Sequence, residues 1–532
     1  MLNRRELLTA MLGSQIVTLA GCSQRALPAE GELLAPNFEV GHRIRDRNSW
    51  PKPALTKKVD VVVVGGGIAG LSAAWRLQDS GLEDFLVLEI DDTAGGTARS
   101  GTSGHFAYPW GAHYLPTPMA ENEDLVQLLQ EMQMLDQVLD DGTPIVKEQH
   151  LCRDPEERVF FQGSWHEGLY PFAGASDSDL EQLNDFRGEI DRWVSGRDQA
   201  GRRLFAIPIA ARSDNAQVMN LDQLTMSMWM EQQGFHSPRL RWLVDYSCRD
   251  DYGLSIEQTS AWAGLFYFAS RISKPGQDSQ AVITWPEGNG RIVKHLAQTC
   301  GDRLQTGQAV IEISQEQDTV SLLVFDTGSL QVQRIECKHA IFAAPQFLVP
   351  HVIRGLDQAR INTSAQFQYG SWMVANAHLK NRPADNGFPM SWDNVIHGSQ
   401  SLGYVTSTHQ SGIDHGPTVL TWYYPFTERN PKLTRQQLLT LDWSAWADLV
   451  LTDLAVPHPE IHGLVTRLDV MRWGHAMVQP RVGFVSSQAL EDAAAPAGRI
   501  HFAGTDLSGI ALLEEAFHHG VRAANEVLIS VA

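Results

Sequence analysis

Cysteine is scarce in this chain, with five in 532 residues, no pair spaced Cys-x-x-Cys and no zinc-ligand pattern. A disulfide framework and a structural zinc are thereby excluded as sources of stability. The four beyond residue 22, Cys152, Cys248, Cys300 and Cys337, read as buried thiols with no obligatory disulfide. Excess positive charge is lacking too. The chain has 42 Lys and Arg against 62 Asp and Glu, a net −20, which argues against a nucleic-acid partner because phosphate binding needs clustered basic residues. No apolar run reaches the ~18 residues that span a bilayer, and the N-terminal one, Leu7 to Ala20, is interrupted by Gly13 and Ser14. His518 and His519 are adjacent, cannot share a helix face and have no Cys or Asp at ligand spacing, so no metal site is expected. What remains is a 43% hydrophobic chain, ordinary for a soluble globular protein and too long for one core, so two or more domains are expected.

The strongest positive signal occupies residues 60–99, DVVVVGGGIAGLSAAWRLQDSGLEDFLVLEIDDTAGGTAR. Val61 to Val64 is a continuous β-branched run, as expected of a parallel strand buried on both faces. Gly65, Gly67 and Gly70 follow as G-x-G-x-x-G. The first permits the tight turn, the second lets the backbone approach a pyrophosphate, and the third lets the next helix lie close to the sheet. That helix, beginning near Ile68 and Ala69, turns unpaired N–H groups and its positive dipole end toward the phosphates. Leu71, Ala74, Trp75 and Leu77 repeat at helical spacing before Gly81, a residue suited to the left-handed position after a helix. A second strand, Phe85 to Leu88, leads into Glu89, about 20 residues beyond the glycines, where a carboxylate accepts from ribose hydroxyls and repels a 2′-phosphate.

Elsewhere the texture changes in blocks. Residues 23–57, with Pro28, Pro36, Pro51 and Pro53, read as a tether. Residues 120–280 read as a helical insertion, because Glu123 to Leu139, Leu180 to Trp193 and Leu221 to Gln233 have helical apolar spacing. Residues 281–345 return to a helix, Arg291 to Thr299, and strand-like runs ending at His339 to Pro345. Residues 346–465 carry short alternating strands, including Thr418 to Tyr424. Near the C-terminus, Arg499 to Gly504 reads as a short strand ending in glycine. A helix from about Ala511 to Ile529 follows, with a small-residue stripe at Ala516, Gly520, Ala523 and Ala524 that allows close packing.

These features together resemble the flavin-containing amine oxidase superfamily, which also includes protoporphyrinogen oxidases and phytoene-desaturase-like enzymes. The resemblance rests on Gly65, Gly67, Gly70 and Glu89, on Gly95-Gly96-Thr97-Ala98-Arg99-Ser100, and on the terminal RIHFAGTDLSGIALLEEAFHHGVRAANEVL. It implies an α/β fold: a Rossmann-like FAD-binding domain built from separated segments (58–119, 281–345 and 466–532) plus an α+β substrate domain (120–280 and 346–465). It further implies FAD held by Gly65, Gly67, Ile68, Ala69, Gly70, Glu89, Gly95, Gly96 and Arg99 at one end. At the ribityl and pyrimidine end stand Gly504, Thr505 or Asp506, and the backbone around Leu513. The flavin is expected to be non-covalent, since the terminal segment has no cysteine. Glu514 also falls on a family position, although the helix dipole alone explains an acid there.

Two departures bear on chemistry. Many relatives have Glu directly after the glycine, where this chain has Thr505, so 505 and 506 stand as alternatives. Amine oxidases of the family often carry a lysine, bridged by water to the flavin. Laying Gly370-Ser371-Trp372-Met373-Val374 against that strand puts Val374 at its position, with Lys380 too far along to substitute. No catalytic side chain is assigned. The candidates are His113, after the second glycine turn, Trp473, in a segment resembling the family's pre-terminal tryptophan region, and His475. Gln479 is a further substrate-facing candidate, and some of Trp422, Tyr423 and Tyr424 are core because a strand alternates its faces.

The expected activity is hydride abstraction from an amine-type small molecule, with oxygen or a quinone as electron acceptor. The rivals are a desaturase or protoporphyrinogen-oxidase-like dehydrogenase on a larger apolar substrate, and a non-catalytic tethered flavoprotein serving as a binding partner. Residues 1–22 resemble a bacterial twin-arginine export signal, with Arg4-Arg5, the apolar run and a lipoprotein-type box Leu19-Ala20-Gly21-Cys22. The resemblance implies export to the periplasm in the folded state, and lipidation of Cys22 would tether the protein without spanning the membrane.

Overall fold

The computed structural model describes residues 30–47, 49–427 and 430–531, so the export signal and Cys22 lie outside the described residues. Among these, no helix is long and apolar enough to cross a membrane.

The valine run forms the centre of the first sheet. Leu55–Val64 pairs in parallel with Phe85–Leu88 on one side and Val332–Phe342 on the other. Leu304–Gln305 extends the first edge, and Ile500–Phe502 pairs with Val332–Phe342. Strand alternation divides the valines between two cores. Val61 and Val63 pack with Leu71, Trp75 and Phe517 on one face, while Val62 and Val64 pack with Ala340, Phe342 and Phe502 on the other. The strand Val332–Phe342 does double duty on its free edge. Its second half takes Ile500–Phe502, and its first half pairs antiparallel with Thr319–Asp326, which turns back into Gln308–Glu316. This is the mixed α/β architecture the sequence implied, with a parallel sheet assembled from separated segments.

Helix Ile68–Asp79 and the terminal helix Leu513–Val531 pack together on one face of this sheet. The contact runs through glycine: a Cβ on Gly520 would stand 2.0 Å from Ser72 Oγ and 2.2 Å from Ala69 O. At that approach Ser72 Oγ donates to Phe517 O at 3.2 Å, and the Trp75 and Phe517 rings lie 5.5 Å apart.

The second sheet has eight strands in the order Leu33–Leu34, Val465–Val478, Tyr369–Leu379, Thr418–Phe426, Tyr404–Thr406, Asp393–Ile396, Glu157–Phe161 and Ser164–Glu167. One face packs on helix Trp443–Leu454 through Trp422, Tyr424 and Trp446. The other presents Trp372, Val374, Tyr423 and Trp473. Helices Asp177–Ser195, Met226–Gln233, Pro238–Tyr252 and Ala261–Ala269 share a separate core around Trp229, Trp262 and Phe266.

Three expectations differ from what is seen. The tether is not free from residue 30 onward. Leu33–Leu34 joins the substrate sheet beside Val470 and Met471, and helix Phe38–Arg45, capped by Asn37, buries Val40 and Ile44. An edge strand of two residues is too short to carry periodicity in a segment rich in proline. The insertion is not wholly helical. Glu123–Glu131 is a helix in the nucleotide-domain core, but Leu135–Val138 pairs with Pro144–Val146, and Glu157–Phe161 and Ser164–Glu167 close the edge of the substrate sheet. Finally, Val465–Val478 belongs to the substrate sheet and not to the terminal nucleotide segment.

Gly520→Val is expected to destabilise the protein by about 3 kcal/mol, because the Ala69 main-chain carbonyl as well as the Ser72 hydroxyl occupies the space. Thermal unfolding of the flavin-loaded protein measures it, and an unchanged midpoint would contradict the packing.

Candidate active site

The glycine turn is built as the spacing requires. Gly65 has φ +108, and a Cβ on Gly70 would stand 1.8 Å from Gly65 O, whereas a Cβ on Gly67 would meet nothing within 4 Å. The middle glycine therefore leaves open space beside the start of helix Ile68–Asp79, whose first N–H groups no side chain caps. Glu89, 7% exposed, accepts from Gly66 N–H at 2.7 Å and Asp91 N–H at 2.9 Å. Burial raises its pKa and these two bonds oppose the rise. The second glycine pair closes the same corner, with Gly95 N–H donating to Gly66 O at 2.8 Å. Arg99 pairs with Asp91 at 2.9 Å and lies 4.9 Å over the Trp473 ring. Its buried Nε has no hydrogen-bond partner among the described residues.

The C-terminal half of the cradle is the loop between Ile500–Phe502 and the terminal helix. Gly504 has φ +145 and open space where a Cβ would stand. Thr505 Oγ1 donates to Ile510 O at 2.6 Å and Leu512 O at 3.0 Å. Asp506 Oδ2 accepts from Tyr369 O–H at 2.5 Å and Gln346 N–H at 2.9 Å. The side chains of both alternatives thus have partners inside the protein, and at Gly504 the loop offers main chain. Leu513 opens the terminal helix, followed by buried Glu514, whose carboxyl burial pushes up to about 7.

An open glycine cradle, an uncapped helix start and an orphaned guanidinium donor are the environment a dinucleotide pyrophosphate needs. The residues present fit FAD.

Residues 68–528 match the sequence profile of a family described as flavin containing amine oxidoreductase. The chain belongs to that family. FAD is accordingly the cofactor of this oxidoreductase. It is 24% identical to flavin-containing amine oxidase B of Bos taurus over 496 residues, 89% of this chain and 87% of that enzyme. It is 24% identical to oxidoreductase PigB of Serratia sp. over 294 residues, 52% of this chain and only 41% of PigB. Wild-type putrescine oxidase bound to putrescine shares the fold, with TM-score 0.67 at 16% identity over 89% of this chain and all of that one.

The flavin oxidoreductase carries an aromatic wall on the substrate sheet. Trp473 stands opposite Trp372 on the neighbouring strand, and its Nε1 donates to Trp110 O at 2.7 Å. His113 is packed by Tyr423 at 4.7 Å, Tyr114 at 5.1 Å and Trp392 at 5.5 Å. Burial drops its pKa to about 4, so at neutral pH it is an uncharged ring. Of the aromatic triplet, Tyr423 faces this wall and donates to Gly111 O at 2.9 Å, while Trp422 and Tyr424 stack on each other in the opposite core. Val374 is buried between Tyr423 and Met471, so the strand supplies no lysine here. His475 has other partners than Trp473: it stacks on Phe347 at 4.2 Å because register shifts between Gly370 and Trp372. Gln479 is buried, reaches Gly253 O at 3.4 Å and accepts from Arg481.

The wall borders a group of acids that periodicity did not reveal. Asp393 Oδ2 accepts from Tyr246 O–H at 3.1 Å, and burial with repulsion from Glu157 and Asp250 pushes its carboxyl well above the ordinary range. Burial likewise raises Asp250 and Glu157, each to about 7. The nearby cations are committed elsewhere, Arg271 to Asp251 at 2.7 Å and Arg249 to Asp245 at 2.9 Å. Tyr114 O–H also reaches Asp251, at 3.4 Å. The clue available was Asp250-Asp251, an acidic pair inside an otherwise packed helix. No group of His, Cys, Asp and Glu among the described residues is arranged to hold a metal. The four cysteines are buried free thiols.

Glu89→Ala strands two buried N–H groups and removes the ribose acceptor. FAD Kd is expected to rise at least about tenfold, read by recovery of free-flavin fluorescence on dilution. Wild-type retention of FAD would refute the adenosine-end assignment.

Proposed function

We propose that this FAD-dependent oxidoreductase oxidises a small amine at the carbon beside nitrogen, and that the aromatic and acidic chamber at Tyr423, Trp392, Asp250, Asp393 and Glu157 receives it. The observation that carries the reading is the set of interior carboxyls whose neighbouring cations are already paired. Burying acids around a purely apolar polyene or porphyrinogen would cost free energy with nothing in return, whereas an ammonium group offsets that cost. Aromatic faces add cation–π attraction for the same group.

The chain's own residues then divide the work. Carboxyls with pKa near 7 hold the arriving ammonium and are matched to take its proton, so that the amine reaches the flavin face neutral. The wall of Trp372, Tyr423 and Trp473 keeps water out. When bound, FAD supplies the hydride acceptor. Val374 agrees with this arrangement, because a neutral amine needs no side-chain base at that strand position. Oxygen or a quinone completes the cycle as electron acceptor. The flavin is non-covalent, so acid precipitation is expected to release the yellow chromophore.

The test is anaerobic mixing of the holoenzyme with amines, apolar polyenes and porphyrinogens. Bleaching of the flavin by an amine is expected. Bleaching only by the apolar compounds would overturn the amine reading. Asp250→Asn and Asp393→Asn are expected to raise KM for a reactive amine at least about tenfold, leaving the flavin spectrum unchanged. The pH dependence has a definite sign. The carboxyls are neutral below their raised pKa and charged above it, so KM should fall between about pH 6 and pH 8, and Asp250→Asn should flatten that fall.

We also propose that residues 1–22 send the folded protein to the periplasm and that lipid on Cys22 tethers it there. Replacing Arg4 and Arg5 with lysines should retain the protein in the cytoplasm, and Cys22→Ala should release it from the membrane fraction. Unchanged fractionation of both variants would refute the signal.

A further inference from the structure

A hydrogen-bonded chain underlies the Thr505–Leu512 loop, and neither the FAD cradle nor the chamber makes use of it. Ser508 Oγ donates to Glu515 Oε2 at 2.5 Å and lies 2.8 Å from His519 Nε2. Arg522 Nε donates to His519 Nδ1 at 3.2 Å, and Ile209 N–H donates to Glu515 Oε1 at 2.7 Å. The chain has one polarity. A guanidinium only donates, so His519 Nδ1 accepts and its Nε2 carries the hydrogen; Ser508 takes that hydrogen bond and gives its own to the carboxylate.

Burial makes this geometry consequential. Glu515 is wholly buried, and Ser508 and His519 are 6% and 8% exposed. A carboxylate without water must find donors in the protein, and the two found here come from different parts of the fold. One is the flavin-binding loop, and the other is Ile209, in the helical part of the substrate domain. The loop needs such a tie, since it begins at Gly504 with φ +145 and passes through Gly509 with φ +71, positions where the main chain has no side chain to restrain it. Arg522 completes the bracing by donating to Phe502 O at 2.5 Å, two residues before Gly504, and by pairing with Glu526.

We propose that Glu515 is a positioning residue for FAD: acting through Ser508, it holds the Thr505–Leu512 loop in the conformation that presents the helix start at Leu513 to the pyrimidine edge of the flavin, and it fixes that loop to the substrate domain at Ile209. The proposal rests on FAD occupying the glycine cradle and is independent of which substrate is oxidised.

The test uses the full-length holoenzyme and needs no substrate. Glu515→Gln and Ser508→Ala are each expected to raise FAD Kd about tenfold, and to shift both the visible flavin spectrum and the two-electron midpoint potential. Ser508→Thr keeps the hydroxyl and should restore all three. The double variant should be no worse than the poorer single one, because both cut the same relay. Should Glu515→Gln fail to fold, Ser508→Ala against Ser508→Thr decides the matter. Wild-type Kd, spectrum and potential in folded Ser508→Ala would overturn the proposal, as would additive losses in the double variant.

Discussion

Gly520 lets the terminal helix settle against the helix that begins at Ile68, with Ser72 Oγ bonded to Phe517 O. The cofactor site depends on that approach, because the two helix starts at Ile68 and Leu513 belong to opposite ends of the chain. The parallel sheet fixes where each helix begins, through Leu55–Val64 and Ile500–Phe502 on either side of Val332–Phe342. Helix contact then fixes how the two starts stand relative to one another. A bulkier residue at the crossing would separate two half-sites, neither of which encloses a dinucleotide.

The two halves of the active site treat charge in opposite ways. In the nucleotide half Glu89 takes two main-chain N–H bonds, Asp506 takes Tyr369 and Gln346, and Arg99 takes Asp91. This half is set before ligand arrives, which is how a cofactor is held without reorganisation. In the substrate half the acids outnumber their partners: burial raises all three, Glu157 and Asp250 raise Asp393 further, and Glu157 adds to the rise of Asp250. Such an arrangement is a cost in the resting protein and becomes favourable when a cation enters.

Features that were legible in the sequence are those whose physics is local. Gly65, Gly67 and Gly70 act within six residues, the valine run reports burial on both faces by itself, and Gly520 lies in a visible stripe of small residues. The terminal Thr505–Asp506 alternative was not resolvable, since Asp506 finds Tyr369 and Gln346 only through the tertiary fold. The acid chamber was invisible for the same reason, as Glu157, Asp250 and Asp393 come from a strand, a helix and another strand far apart in the chain. The edge strand Leu33–Leu34 escaped notice because its pairing with Val470 and Met471 needs only two residues. His475 is a candidate beside Trp473, and the irregular pairing of its own strand between Trp473 and Met477 is not visible in the sequence.

The absence of lysine at Val374 and the presence of acids around Tyr246 and Trp392 are two sides of one argument. Val374 lies among Tyr423, Met471 and Trp473, an apolar and aromatic setting. Valine keeps the wall apolar, so on the proposed reading the ionisable groups that an amine meets are the carboxyls. On the same reading proton exchange falls to these carboxyls, while the aromatic wall meets only an uncharged molecule. The proposed reading thereby assigns deprotonation to the acids and leaves the apolar wall to exclude water. On the proposed reading, specificity follows from the first step, because an apolar molecule gains nothing from the acids and leaves them buried without a counter-charge.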